Sequence, residues 1–123
     1  MAEAYIIDAV RSPRSIGKMG KGALSTMHPE HLSAAVLAAI RDRNNLNTAE
    51  VDDVIWGVSG AMGLQGGDIG RNAALDAGYD VKAGGVTLNR FCGSSVTATN
   101  FAAGMIMAGM HDLVISGGMD MMS

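Results

Sequence analysis

The chain is poor in cysteine, aromatic residues and proline, and each shortage excludes something. There is one cysteine, Cys92, in 123 residues. A single thiol rules out an internal disulfide and any metal cluster built on cysteines. Aromatic residues make up 4% and prolines number two, against 17 glycines and 10 methionines. With apolar residues at 48%, a core must still form, and small and flexible side chains must fill it. Such side chains let elements approach closely and suit helices laid flat on a sheet. An excess of positive charge is also missing: 9 basic against 12 acidic residues leave a net charge of −3. A nucleic-acid partner is therefore not expected. No apolar run reaches the ~18 residues of a membrane span. The start, "MAEAYIIDAVRSP", lacks a charged n-region and reads as a strand, not a signal peptide. The three histidines show no ligand spacing beyond His28 and His31 at i, i+3. Those two flank a helix start and read as surface residues, so no metal is expected. The sum predicts a soluble, cytoplasmic protein of a reducing compartment with no membrane or nucleic-acid partner.

The order of elements is legible from periodicity and punctuation. "AYIIDAV" at 4–10 predicts a buried first strand, and the Gly, Ser and basic residues after it predict a loop. A helix starts near His28 with Pro29 and Glu30 in its first turn. Leu32, Ala35, Val36, Ala39 and Ile40 form its apolar face, and "RDRNN" ends it. "VDDVIWGV" at 51–58 predicts a second strand, and a short helix spans about 71–76 with Gly78 as its stop. "GVTLN" at 85–89 and "LVISG" at 113–117 predict two more strands, with a helix over 92–109 between them. The alternation β-α-β-α-β-α-β implies an α/β fold with a mostly parallel sheet. The helix after Cys92 is apolar on most sides, which predicts cover on more than one face. Gly93, Gly104 and Gly109 along it suggest close backbone approach there.

Cys92 stands where a strand ends and a helix begins. In an open parallel sheet, ligands collect beyond the carboxyl ends of the strands. A helix N-terminus offers unpaired N–H groups and the positive end of the dipole, and both favour thiolate. The same N–H groups can hold a developing oxyanion. Gly93 keeps the approach open, and Ser94 and Ser95 can satisfy nearby backbone groups. That combination is the logic of covalent acyl transfer. The competing reading, a cysteine that merely fills the core, has the larger base frequency. No base is at hand: His111 falls at the far end of the same helix, ~25 Å away by helix rise. "GLQGGDIG" lacks the G-x-G-x-x-G order of a dinucleotide loop, and no Ser or Thr follows Lys18 or Lys21 to make a P-loop. The methionines, Met119, Met121 and Met122 included, read as packing residues.

Four stretches together resemble the thiolase family: "AYIIDAVRSPRSIGKMGKGAL", "GDIGRNAALDAGY", "VTLNRFCGSSVTA" and "VISGGMDMMS". They stand in the family's order and cover nearly the whole chain. The resemblance implies that Cys92 is the nucleophile that becomes acylated and that its backbone N–H contributes to an oxyanion hole. It implies the first part of a five-layered α-β-α-β-α sandwich, with the cysteine-bearing helix buried between two sheets. It implies acyl-CoA and coenzyme A as substrates, no further cofactor, and a homodimer or homotetramer, with Gln65–Asn72 resembling a segment near the dimer contact. Two positions depart mildly: Gly93-Ser94-Ser95 stands where small-Ser-Gly is common, and Asp120 replaces a usual Glu. Thiolases run to roughly three times this length, beyond one small domain. Residues 1–123 are thus expected to be a partial N-terminal domain. The rest of that domain, the loop region that grips coenzyme A, and the C-terminal domain with its His and second Cys would lie outside it. The chain alone is expected to be inactive. Rival readings are a ketoacyl synthase, a sterol-carrier type thiolase-like protein, or a non-catalytic dimerisation half; "NRFCGSS" favours thiolase.

Overall fold

The computed structural model describes residues 2–123. Three helices, α1 (Pro29–Arg43), α2 (Ile69–Asp76) and α3 (Ser94–Met107), pack on three strands, β1 (Asp53–Gly57), β2 (Val86–Leu88) and β3 (Val114–Gly118). The sheet is wholly parallel in the order β2-β1-β3. From β1 the chain crosses to β2 on one side; from β2 it crosses over to β3 on the other. Parallel crossovers are right-handed, so opposite directions put α2 and α3 on opposite faces. β1 shows this by its period of two. Val54, Trp56 and Val58 pack with Leu37 of α1 and with Ile69 and Ala73 of α2. Ile55 packs with Ala98 and Ala102 of α3. The result is three layers, α-β-α.

Each helix stops by the same device. Asn45, Gly78 and Gly109 take positive φ just beyond α1, α2 and α3. The N–H groups of Leu46, Tyr79 and Met110 then reach back to Arg41 O, Ala74 O and Met105 O. These left-handed caps satisfy carbonyls that the helix leaves open. Helix α1 starts as the sequence suggests: Pro29 opens it, and Glu30 N–H donates to His28 Nδ1 at 3.1 Å. Tyr79 ties α2's end to α1 by donating its hydroxyl to Leu37 O at 2.8 Å in the interior.

Burial pushes the Tyr79 phenol up to about 12. An unfolded tyrosine titrates near 10, so the folded state holds this proton longer. Tyr79's contribution is intact below pH ~10 and is lost as pH rises towards ~12. Thermal melts from pH 8 to 12 should therefore fall steeply above pH ~10, and more shallowly in Tyr79→Phe. Equal slopes for the two proteins would contradict this account.

The expected first strand does not form. Residues 4–10 carry no strand pairing, and Tyr5, Ile6 and Ile7 are 74%, 83% and 78% exposed. An apolar run becomes a strand only where a partner edge and a covering layer receive it. Here the run passes beside the open edge of β3 and is tethered through Asp8. Asn44 Nδ2 donates to Asp8 at 2.9 Å and Arg43 pairs with it at 3.2 Å. Two gaps of about 380 and 500 Å³ flank the N-terminal segment, and Cys92 lines neither. Within this chain α3 is also covered on one face only. Val96 and Phe101 point outward, 67% and 48% exposed, because nothing in residues 2–123 lies over them. No helix among the described residues is long and apolar enough to cross a membrane.

Candidate active site

The carboxyl ends of the three strands converge on one edge, and Cys92 stands there in the turn from β2 to α3. Its thiol is exposed. The turn is held by short-range bonds. Phe91 N–H donates to Asn89 Oδ1 at 2.8 Å. Gly93 N–H donates to Arg90 O and Ser94 N–H to Phe91 O, both at 3.1 Å. Phe91, directly before the cysteine, has φ of +48°. A non-glycine residue in that left-handed region costs about 1–2 kcal/mol. The surrounding bonds hold the turn in this shape.

The neighbouring ends are stitched together above the sheet. Met119 N–H donates to Gly57 O at 3.0 Å and Val58 N–H to Leu88 O at 3.0 Å. Ser59 N–H donates to Asp120 Oδ1 at 2.9 Å. Gln65 donates its amide to Gly60 O at 2.9 Å and accepts the N–H of Met121. Asp68 caps α2 through Arg71 N–H at 3.2 Å and accepts the Thr87 hydroxyl at 2.7 Å. The loop after β1 is thus fastened to β2 and to the segment after β3. Asp120 has a structural duty in this stitching.

Close approach of α3 comes from strand glycines rather than from α3's own. A Cβ at Gly57 would lie 2.5 Å from Ser94 C and 2.7 Å from Ser95 N. A Cβ at Gly118 would run into Ser95 Oγ of α3 and Gly57 O of β1. By contrast, Gly104 and Gly109 face open space. Gly109 ends the helix with its positive φ, and Gly104 meets no neighbour among the described residues. A glycine inside a strand signals such close approach, and "IWGV" and "ISGG" carry that signal.

The histidines are engaged elsewhere. His28 caps α1, and His31 pairs with Asp76 at 2.6 Å, which raises its pKa. His111 lies 4.0 Å from Asp53, at the amino end of the sheet and opposite Cys92. Asp52 at that end accepts Asp112 N–H at 2.7 Å and Leu113 N–H at 3.1 Å, which hold its carboxyl below the usual range. Among the described residues no group of three His, Cys, Asp or Glu could hold a metal.

A parallel α/β layer with an exposed thiol at the strand-to-helix turn defines a class: an α/β domain with its candidate nucleophile beyond the carboxyl edge of the sheet. Family comparison makes the class specific. The family model described as thiolase, N-terminal domain, matches residues 4–123, and the chain belongs to that family. It is 46% identical over 123 residues to a steroid 3-ketoacyl-CoA thiolase of Mycobacterium tuberculosis, covering 100% of this chain and 30% of that protein. It is 44% identical over 123 residues to a 3-ketoacyl-CoA thiolase of Shewanella loihica, covering 99% and 31%. A beta-ketoadipyl-CoA thiolase of Acinetobacter baylyi is 42% identical over 124 residues, at 100% and 30%. The chain thus spans about 30% of the length of these relatives.

Proposed function

We propose that this chain is the nucleophile-bearing part of an acyl-CoA acyltransferase of the thiolase type. Cys92 Sγ attacks the thioester carbonyl of an acyl-CoA. The new S–C bond forms, the C–S bond to coenzyme A breaks, and coenzyme A leaves as a thiol after taking a proton. For condensation, the C2 carbanion of a second acyl-CoA then takes the acyl group, which gives a 3-ketoacyl-CoA and returns the Cys92 thiol. For cleavage, Cys92 Sγ attacks the 3-keto carbonyl of a 3-ketoacyl-CoA; the S–C3 bond forms, the C2–C3 bond breaks, and the shortened acyl-CoA leaves once C2 has taken a proton. The coenzyme A thiol then takes the acyl group from Cys92, which regains its proton. The Cys92 backbone N–H is the proposed oxyanion donor; those of Gly93 and Ser94 are already used inside the turn. The acid/base group and further donors come from outside these 123 residues. No cofactor besides the coenzyme A thioesters is invoked. The observation that carries this reading is the exposed Cys92 at the sheet's carboxyl edge, within a chain that matches the thiolase family from end to end. All three relatives named above are 3-ketoacyl or ketoadipyl thiolases, which favours cleavage of a 3-ketoacyl-CoA as the physiological direction. We further propose a cytoplasmic homodimer or homotetramer in which Gln65–Asn72 lies near the contact.

The test is coenzyme A-dependent cleavage of acetoacetyl-CoA by two proteins. One is the 123-residue chain alone, and the other is the same chain fused to the remaining portion of the Mycobacterium relative. The fusion should turn over and the chain alone should not. Turnover by the chain alone, or a folded fusion without activity, would refute the proposal.

A further inference from the structure

The N-cap of helix α3 is Gly93, which can offer no side-chain cap, and the first turn has no side-chain capping bond. The next residue, Ser94, carries a hydroxyl suited to capping, yet it is turned away from the helix. It accepts Arg90 N–H at 2.9 Å and donates to Phe91 O at 2.6 Å. Ser94 is 4% exposed, and Gly57 packs against its backbone from below. One buried hydroxyl therefore closes the turn on the N-terminal side of Cys92, across the left-handed Phe91. It also leaves the first-turn N–H groups of α3 without a side-chain cap.

We propose that Ser94 is a positioning residue for acyl transfer at Cys92: its hydroxyl locks the Arg90–Phe91 turn so that the Cys92 backbone N–H and thiol keep a fixed relation. The inference rests on the reading of Cys92 as the nucleophile. A fixed relation matters to a reaction that builds an oxyanion, because stabilisation depends on donor geometry. It matters far less to simple alkylation, where no carbonyl oxygen gathers charge.

The experiment compares two reagents on the purified chain. With p-nitrophenyl acetate, Cys92 Sγ bonds to the carbonyl carbon and p-nitrophenolate leaves. With iodoacetamide, Sγ displaces iodide at carbon without an oxyanion. Ser94→Ala should lower the acylation rate about tenfold, while alkylation changes less than about twofold. Ser94→Thr, which keeps the hydroxyl, should hold acylation within about threefold of the parent. Equal changes in both reactions, or no change in either, would overturn the proposal. If Ser94→Ala fails to fold, Asn89→Ala decides. Asn89 is exposed and supports the same turn, so the acylation-to-alkylation ratio should fall about threefold; an unchanged ratio would overturn the proposal. Acetyl-CoA supplied to the fusion protein tests the nucleophile reading separately. Failure there leaves the ester comparison able to decide on Ser94.

Discussion

Gly57→Ala is expected to destabilise the chain by about 3 kcal/mol, the upper end of what overpacking costs. The added methyl would meet Ser94 C at 2.5 Å and Ser95 N at 2.7 Å. Both are backbone atoms, so no side-chain rotation relieves the clash. Either α3 lifts from the sheet or β1 bends, and the turn bearing Cys92 moves in both cases. Urea unfolding gives the loss directly. Gly104→Ala is the internal control, since nothing lies within 4 Å of its Cβ position. There, alanine should stabilise by about 0.5–1 kcal/mol through helix propensity. If the two variants unfold at the same urea concentration, the close approach of α3 is not what Gly57 provides.

Trp56→Ala should cost as much or more, about 3–5 kcal/mol. Trp56 is 2% exposed and wedges between three elements. A Cβ at Gly70 of α2 would lie 2.7 Å from Trp56 Cβ, and one at Gly117 of β3 would lie 2.6 Å from its ring. Its indole N–H donates to Ser33 Oγ of α1 at 3.2 Å. Removing the ring leaves a cavity and a Ser33 hydroxyl, 1% exposed, without that donor. Trp56→Phe restores most of the volume but not the bond, so it should recover all but about 1–2 kcal/mol of the loss. A Trp56→Ala protein within ~1 kcal/mol of the parent would contradict this assignment of the core.

Much of this fold is written locally in the chain. Pro29 and Glu30 mark where α1 starts, Gly78 marks where α2 stops, and the apolar runs at 51–58, 85–89 and 113–117 each cover all or most of a strand. These signals need no distant partner. The run at 4–10 looks equally strand-like, but a strand is completed by a neighbour. Its side chains stay exposed beside β3. The apolar coat of α3 is similar: the sequence marks it as a surface to be covered on more than one side, and residues 2–123 cover one side of it. At the site, the position of Cys92 between strand and helix was legible. The left-handed Phe91 was not, because phenylalanine has no preference for that region. The backward-facing bonds of Ser94 were open in the sequence, since a serine there can serve the helix or the turn. The stitching by Asp120 and Gln65 joins residues 61 and 56 positions apart, a separation that no local pattern encodes.

The central claim is that Cys92 takes the acyl group. The most direct measurement is the intact mass of the fusion protein after brief exposure to acetyl-CoA, with peptide mapping and Cys92→Ser as control. The account predicts an acetyl-sized increment, located on Cys92, removed by added coenzyme A and absent from the Ser variant. An increment that persists in Cys92→Ser, or a folded protein that gains none, would contradict it.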